Sequence, residues 1–553
     1  MSSRIARSVD RYPLLWILLV GAAAIAIPFR AAIFGGFDWL LGDRGDTIIE
    51  IAILEHWRNV FVHGAQWNAL FYFDPYPGTL GYNDGYLMPG IFYTALRLFL
   101  DPFRAEILTV MVMKSIGFIG AYLLVARSLG WGRGIALLTA LLLSIANGMV
   151  VQSGHAQIQS LALLPWLAML VIGAWRAEMA GETRRAALHA IGAAAVMAMW
   201  LVTAFYFAWF TLYFSLVLLL CWAGLNRMLN RKGLALLWEH RGLLAVGAGA
   251  LLLFGIPFLA IYLPKAMETG GHPFMLSYLA HPTDMVNVGE RNLVWGWLVA
   301  GMRWLAASPL GEAGADKMFG GEHRSGFPLF LFALVCAAAW KLVRQRGESG
   351  FARAFALALV VSWVLILRFG PVSPWILAHA ILPGASGVRV LLRYQLFLIL
   401  PSLLLAGYVW RAKLAEARPV VALAVVALLI AEQINLEPIA RFDRRAQMAA
   451  LDAVPPPPPH CRRFYVVSAR KGEPVFLDPR IDGIYPHNVD AMFLAERWRL
   501  PTINGFSTFN PPDWNFAEPR TPDYRARVEA YATKHQLTGL CRLDMRDAEP
   551  WSG

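Results

Sequence analysis

The sequence predicts an α-helical polytopic membrane protein with about 11 transmembrane helices and a small C-terminal α/β domain outside the membrane. Of its 553 residues, 58% are hydrophobic and 16% are charged, whereas a soluble domain carries roughly 25% charged residues. Apolar runs of about 17–25 residues, the length that spans a bilayer as a helix, recur from Tyr12 to about Leu436. Beyond residue 437 the composition becomes polar, which indicates a separate soluble domain.

The net charge of +12 follows the membrane pattern and does not indicate a nucleic-acid partner. Basic residues gather in short segments between the apolar runs, as the positive-inside bias predicts. Arg4, Arg7 and Arg11 precede the first run, and the segments assigned to the inner side collect 19 Lys and Arg residues. We therefore expect a bacterial inner-membrane protein with a cytoplasmic N-terminus and, after an odd number of crossings, a periplasmic C-terminal domain.

The first apolar run, from Pro13 to about Ile33, is too long for a signal-peptide core, and we interpret it as a retained helix. It leads into a first outer loop, residues 34–104, that opens with Gly42-Asp43-Arg44-Gly45-Asp46. Apolar residues at helical spacing predict a helix from Thr47 to about Val62, and a second short helix is expected from Met88 to Leu98.

The remaining membrane helices complete a transmembrane module that ends at residue 436. Residues 264–325 form a second large outer loop, because this segment is too polar and too rich in Gly, His and Pro to span. The helices are expected at about 105–126, 134–151, 158–175, 187–203, 206–225, 243–263, 327–342, 355–369, 390–410 and 420–436.

The polar C-terminal region begins with a Pro-rich hinge, residues 437–459, whose polyproline run acts as a semi-rigid spacer. Residues 460–553 are expected to form the soluble domain, with strands at 463–468 and 540–543 and a helix at 525–535. In an oxidising periplasm Cys461 and Cys541 can form a disulfide; the alternative is two free thiols.

Asp43 and Asp46 are the first candidate catalytic residues. A carboxylate at the membrane–water boundary can act as a general base on a hydroxyl group. Either residue can instead cap the helix that begins at Thr47, because Asp is a preferred N-cap. Their spacing alone does not separate these two roles.

Four further residues are candidates for substrate binding. Lys114 is an ionisable residue inside an apolar run, a position that is costly and usually functional. Arg389 and Arg393 are four residues apart near the outer end of a helix, where they can hold a phosphate or pyrophosphate. His155 follows a helix end and precedes two glutamines. The alternatives are ion pairing or snorkelling for the basic residues and backbone hydrogen bonding for His155.

The sequence does not indicate a cofactor. It contains no metal-binding spacing of the His-x-x-x-His or Cys-x-x-Cys kind, so a protein-built zinc site is not expected. A divalent metal held by the two aspartates together with substrate phosphate is possible but not indicated. No Walker A or dinucleotide-binding fingerprint is present, which argues against direct use of ATP or NAD.

In this arrangement the chain resembles the GT-C superfamily of integral membrane glycosyltransferases, as an uncharacterised bacterial member. The resemblance covers nearly the whole chain in architecture: a first helix, an acidic outer loop, about ten more helices and an outer C-terminal domain. The residues that carry it are Gly42-Asp43-Arg44-Gly45-Asp46, His155-Ala156-Gln157 with Leu164-Pro165, Val388-Arg389-Val390 to Arg393-Tyr394, and Pro501-Thr502-Ile503-Asn504-Gly505-Phe506-Ser507.

The resemblance implies transfer of a sugar from a polyprenyl-phosphate donor to a glycan, lipid or protein acceptor on the outer face. It also implies that an Asp of the first outer loop is the base, with Asp43 and Asp46 as the candidates, and that basic residues recognise the donor phosphate. Two other functions stay open. A lipid or polysaccharide transporter would need a polar path through both leaflets and often has inverted repeats. A non-catalytic envelope assembly protein would use residues 460–553 as its binding module.

Overall fold

The computed structural model describes residues 8–308, 319–345, 350–436, 441–470 and 485–553. Arg4 and Arg7 and parts of the predicted second outer loop, hinge and C-terminal domain lie outside these ranges. The helices up to residue 269 are α1 (Pro13–Phe34), α2 (Asp46–His63), α3 (Leu87–Leu96), α4 (Pro102–Leu123), α5 (Arg133–Ser144), α6 (Asn147–Val151), α7 (Leu164–Met179), α8 (Thr183–Thr203), α9 (Phe205–Leu225), α10 (Arg231–Glu239), α11 (Arg241–Phe254) and α12 (Ile256–Thr269).

The helices beyond residue 269 are shorter on average. They are α13 (Gly296–Ala307), α14 (Leu329–Arg344), α15 (Gly350–Leu365), α16 (Trp375–Ile381), α17 (Tyr394–Phe397), α18 (Ile399–Glu416), α19 (Pro419–Ala431), α20 (Arg444–Asp452), α21 (Pro486–Trp498) and α22 (Tyr524–Lys534). Short 3-10 turns connect several of them, among them Ala156–Leu163, Gly321–Arg324 and Leu391–Arg393.

The chain is a multi-pass membrane protein, as predicted, but the expected count of about 11 spans is not confirmed. Within the described ranges, seven helical stretches are long and apolar enough to cross a membrane: Pro13–Phe34, Pro102–Ser128, Arg133–Val151, Ala156–Met179, Thr183–Thr203, Phe205–Leu225 and Leu391–Glu416. The pair α10 and α11, bent by 72°, makes an eighth if it is counted as one span.

The difference in count arises from the length of the other apolar helices. Helices α14 and α15 have 16 residues each and α19 has 13, whereas a bilayer crossing needs about 20 residues. The predicted run 243–263 is divided at Gly255, where α11 ends and α12 begins. An apolar run in the sequence therefore overstates the length of continuous helix that forms.

The C-terminal domain contains the small sheet that the sequence predicts. Two short strands outside this domain, β1 (Trp39–Leu41) and β2 (Arg441–Asp443), pair antiparallel with each other. Within the domain, β3 (Arg463–Ser468) runs parallel to β4 (Leu540–Asp544), with Phe464 opposite Cys541, and β4 runs antiparallel to β5 (Trp551–Ser552). The predicted strands and the helix at 525–535 are confirmed to within about one residue. Cys461 and Cys541 are joined in a disulfide that fastens the start of β3 to β4.

The first outer loop and the C-terminal domain share one hydrophobic core. Backbone hydrogen bonds join Phe73 to Asn504 (3.1 Å) and Asp74 to Thr502 (2.9 Å), so the loop extends the C-terminal sheet. Helix α21 packs on α2, and Phe493 of α21 stacks on Phe103 at the start of α4 with ring centroids 6.3 Å apart. The domain is thus packed firmly against the loop that carries Asp43 and Asp46.

We expect loss of the disulfide to destabilise the C-terminal domain. The bond closes a loop across a sequence separation of 80, for which chain-entropy reasoning gives about 4 kcal/mol of stabilisation. The double variant Cys461→Ser/Cys541→Ser should unfold at a lower temperature than the native chain, measured by intrinsic fluorescence. Dithiothreitol should lower the unfolding temperature of the native chain and leave that of the variant unchanged. Equal temperatures for the two proteins would contradict the stabilising role.

Candidate active site

A cavity of about 610 Å³ lies where the first outer loop, the α8–α9 turn, α12 and the C-terminal domain meet. Four of the residues singled out from the sequence line it: Asp46, His155, Arg389 and Arg393. Other polar lining residues are Glu50, Tyr82, Asn83, Asp84, Tyr86, Gln157, Lys265, Tyr485, Ser507 and Thr508. Apolar residues of α8, α9 and α12 form its remaining walls, among them Leu201, Phe205, Trp209, Leu212, Phe258, Leu259 and Leu263.

Asp43 and Asp46 have different surroundings. One oxygen of Asp43 accepts the backbone N–H groups of Gly45 (2.7 Å) and Asp46 (2.8 Å), so its carboxylate fixes the turn that leads into α2, whose N-cap is Gly45. Asp43 does not line the cavity, whereas Asp46, the first residue of α2, does. The turn between them and α1 requires Gly42, whose φ is +105° and whose missing Cβ would lie 2.0 Å from the Thr47 hydroxyl.

Asp46 begins a chain of four charged side chains, each from a different segment of the protein. Its Oδ2 lies 3.3 Å from Nδ1 of His155, and Nε2 of His155 lies 3.2 Å from Oε1 of Glu322. Glu322 in turn accepts hydrogen bonds from the guanidinium of Arg393, with Nε 3.2 Å from both carboxylate oxygens. Because opposite charges alternate along the chain, each member holds its neighbour in place.

The C-terminal domain completes the surroundings of Asp46. The hydroxyl of Tyr485 donates a hydrogen bond to Oδ1 of Asp46. The ring of Phe506 packs edge-on against Tyr485, with the centroids 4.2 Å apart. Both oxygens of the Asp46 carboxylate are therefore oriented by partners, while 44% of the side chain remains accessible from the cavity.

The three basic residues predicted to bind substrate, Arg393, Arg389 and Lys114, differ in burial and in their partners. Arg393 is buried and neutralised by Glu322. Arg389 is exposed, and within the described part of the chain its guanidinium has no carboxylate within 4.0 Å; it lies 5.5 Å from the ring centroid of Tyr278. Lys114 lies outside the cavity lining and donates to the backbone carbonyl of Ser144 at 2.8 Å. Arg389 is thus the cationic group best placed to meet an anion in the cavity.

Electrostatics separates the two aspartates further. Burial, and then the neighbouring Asp46 carboxylate, raise the pKa of Asp43 above its usual value. Burial acts in the same direction on Asp46, but the hydrogen bond from His155 and that residue's charge outweigh it, and the pKa of Asp46 is lowered. These surroundings favour the ionised form of Asp46, the form that can accept a proton, more strongly than those of Asp43 do.

His155 gives the site a defined pH dependence. Burial and Arg393 lower the pKa of His155, but hydrogen bonds to Asp46 and Glu322 raise it above the usual 6.5. A group with a raised folded-state pKa stabilises the fold below its unfolded pKa, and this stabilisation is lost as pH rises through the folded value. We expect the unfolding temperature of the native chain to fall as pH rises above 6.5.

The matched variant for this pH dependence is His155→Asn. As pH rises above 6.5, the unfolding temperature of this variant should decline less than that of the native chain. The reason is that the variant has no histidine at position 155 that can lose its proton. Differential scanning fluorimetry in one detergent at constant ionic strength measures both proteins. Parallel pH profiles for the two would show that His155 is not the titrating group.

Glu50, Glu322 and Tyr485 line or border this site but were not among the candidates predicted from the sequence. Glu322 lies in the second outer loop and Tyr485 in the C-terminal domain, so only the fold brings them to Asp46. Glu50 follows Asp46 by four residues, and because α2 begins at Asp46 this spacing places both carboxyl groups on one face. This spacing was the available sequence signal for Glu50.

One group of three potential metal ligands lies close together among the described residues: His460, Cys461 and Cys541. The two sulfur atoms are bonded to each other, so they are not available as thiolate ligands. We therefore assign no metal to this group.

No family model and no curated protein matches this sequence. Solved structures of GT-C glycosyltransferases, the family that the sequence resembles, do match it. The Archaeoglobus fulgidus oligosaccharyltransferase, solved with Zn and sulfate, has 14% identity and a TM-score of 0.48, with 95% of this chain and 67% of that chain covered. The arabinofuranosyltransferase AftD from Mycobacteria has 15% identity and a TM-score of 0.41, covering 82% of this chain and 29% of AftD.

A third structure is ArnT from Cupriavidus metallidurans bound to undecaprenyl phosphate, with 16% identity and a TM-score of 0.42, covering 96% of this chain and 93% of ArnT. At these TM-scores the likeness does not by itself indicate a substrate or a mechanism.

Proposed function

We propose that this chain is a membrane glycosyltransferase that moves a sugar from a polyprenyl-phosphate donor to an acceptor on the extracytoplasmic face. One observation carries the proposal. A single cavity combines the oriented, ionised carboxylate of Asp46, the exposed guanidinium of Arg389 and apolar walls from the membrane helices. A base, an anion-binding group and a lipid-compatible wall are the three features that this reaction needs together.

The donor's lipid chain is accommodated by the apolar wall. Leu212 of α9 and Leu259 and Leu263 of α12 line the cavity and are also 42%, 45% and 54% exposed on the protein surface. Leu212 lies on α9, one of the membrane-spanning stretches, so its exposed side chain contacts lipid and the cavity has an apolar side toward the bilayer. A polyprenyl chain in that position leaves its phosphate at the polar end, within reach of Arg389.

Asp46 is the proposed base. The acceptor hydroxyl gives its proton to the Asp46 carboxylate while its oxygen forms a bond to the anomeric carbon. The bond from that carbon to the phosphate oxygen breaks, and the polyprenyl phosphate leaves with the electron pair, its charge balanced by Arg389. His155 and Tyr485 hold the carboxylate in a fixed direction, which lowers the reorganisation that the transfer requires.

The proposed location is the bacterial inner membrane, with the cavity on the periplasmic side. The Lys and Arg distribution supports a cytoplasmic N-terminus. The meeting of Asp46, Glu322 and Tyr485 also supports it, because the three come from the three segments that this topology assigns to the outer face.

Mass spectrometry of a strain that lacks the chain tests the function. We expect an envelope glycan or lipid to lose one sugar and a lipid-linked sugar to accumulate. Re-expression of the native chain or of Asp452→Asn, a half-exposed residue outside the cavity, should restore the missing sugar. An unchanged set of glycans and lipid-linked intermediates would contradict transfer, and loss of surface display without loss of any sugar would favour a transporter.

Arg389 should govern donor affinity. Because charge-assisted hydrogen bonds contribute about 1.5–3 kcal/mol each, Arg389→Ala should weaken binding of undecaprenyl phosphate about tenfold or more. Native mass spectrometry or microscale thermophoresis of the protein in detergent measures the dissociation constant. The control is Arg525→Ala, whose side chain is 85% exposed outside the cavity lining. Equal affinities for native protein and Arg389→Ala would exclude Arg389 from phosphate binding.

A further inference from the structure

Glu50 is a buried acidic residue that the mechanism above does not use. It is 4% exposed, yet it lines the cavity. Within the described ranges it has no hydrogen bond at 3.5 Å or less and no cation within 4.0 Å. Burial of a carboxyl group without a hydrogen-bond partner is unfavourable, and a ligand that enters the cavity can supply the missing partner.

The surroundings of Glu50 are acidic and uncharged rather than basic. Glu106 of α4, itself 5% exposed, is the charged group that acts on Glu50 most strongly, and Asp46 is the next. Burial, followed by these two carboxylates, raises the pKa of Glu50 well above its usual range. The direction of this shift favours the protonated form of Glu50, which presents an O–H donor as well as a carbonyl oxygen.

Two uncharged polar groups line the cavity with Glu50. The Tyr86 hydroxyl donates to Oε1 of Gln157 at 2.9 Å, and both residues line the cavity. Glu50 lines the same cavity as these two residues. Glu50 also lies one helical turn, about 5–6 Å, beyond Asp46 on the same face of α2.

We propose that Glu50, Tyr86 and Gln157 form a binding site for the hydroxyl groups of the transferred sugar, one helical turn of α2 beyond the Asp46 carboxylate. The inference rests on the proposed function, because it assigns the part of the cavity that holds the sugar while Asp46 receives the acceptor proton. A carboxylic acid, a phenol and a carboxamide each donate and accept hydrogen bonds, the chemistry that recognises neighbouring hydroxyl groups. The ligand class is therefore a neutral sugar.

Infrared spectroscopy of the whole protein in lipid bilayers tests the site without turnover. A protonated, buried carboxyl gives a C=O absorption that is separated from amide bands and shifts in D2O. We expect this absorption in the native chain and in Asp452→Asn, and a weaker one in Glu50→Gln. A spectrum unchanged by Glu50→Gln would show that Glu50 is not the protonated carboxyl group, and this would overturn the proposal.

Ligand addition then tests sugar recognition. The probes are undecaprenyl phosphate and a panel of undecaprenyl phosphates that carry a hexose, an N-acetylhexosamine or a pentose. We expect at least one sugar-bearing lipid to shift the Glu50 absorption to lower frequency and bare undecaprenyl phosphate to leave it in place. Equal shifts by all probes or no shift by any would each overturn the assignment.

Tyr86→Phe provides a second variant that retains Glu50 and its absorption. It should reduce the sugar-induced shift, and a full native shift would contradict the role of Tyr86. In a transfer assay Glu50→Ala should raise KM for the donor about tenfold, whereas Glu50→Gln, which keeps a donor and an acceptor, should raise it about twofold to threefold. The reverse order would indicate that charge is needed and overturn the neutral-sugar assignment.

The two proposals fail in different ways. A sugar-dependent infrared shift without any transfer would contradict the transferase function and leave the sugar site standing. Transfer without a sugar-dependent shift would contradict the sugar site alone.

Discussion

Asp46→Asn is expected to lower kcat for sugar transfer by about a factor of a thousand, within the 10²–10⁴ range of a lost general base. Asparagine keeps the size of the side chain and can still accept from Tyr485, but it cannot take the acceptor proton. Donor affinity should change little, because Arg389 and the apolar walls are untouched. Radiolabelled or mass-tagged lipid-linked sugar, followed into the acceptor under saturating donor, measures the effect.

The matched control is Asp43→Asn. Asparagine keeps a side-chain oxygen that can accept the backbone N–H groups of Gly45 and Asp46, so transfer should stay within about threefold of native. If Asp43→Asn abolished transfer while Asp46→Asn remained active, the assignment of the base would be reversed. If the double variant were fully active, no aspartate of this loop would be catalytic.

The second large effect is on stability, at the contact between the first outer loop and the C-terminal domain. Asp490 of α21 is fully buried between two arginines: Nη2 of Arg44 lies 2.8 Å from one oxygen and Nε of Arg470 lies 2.7 Å from the other. Asp490→Ala leaves two buried guanidinium groups with no counter-charge. Removing one partner of a buried ion pair lowers the free energy of unfolding by about 3–5 kcal/mol. The unfolding temperature, measured by scanning fluorimetry, should therefore drop sharply.

The control for this variant is Asp452→Ala. Asp452 also pairs with an arginine, Arg497, but the two side chains are 52% and 38% exposed. Exposed pairs contribute about 0–1 kcal/mol, so its unfolding temperature should stay near that of the native chain. Because Arg44 lies between Asp43 and Asp46, Asp490→Ala should also reduce transfer. A stable, fully active Asp490→Ala variant would show that the domain does not organise the loop.

The sequence predicted most helix positions because hydropathy and turn residues act locally. The helix expected from Thr47 to about Val62 forms as Asp46–His63, and the one expected at 206–225 forms as Phe205–Leu225. The number of spans was harder to predict, because local apolarity does not report where a helix bends or stops. Gly255 divides one predicted span, and α14, α15 and α19 are shorter than a bilayer crossing.

The sequence by itself determined the membrane class, the acidic first loop and the two aspartates as alternatives. Only the tertiary structure separated them, because a carboxylate that fixes the turn before a helix and one that faces a cavity have the same sequence signature. It also brought Glu322 and Tyr485, from segments distant in the chain, to His155 and Asp46. Such contacts depend on how three outer segments pack together, and no local pattern of residues encodes that packing.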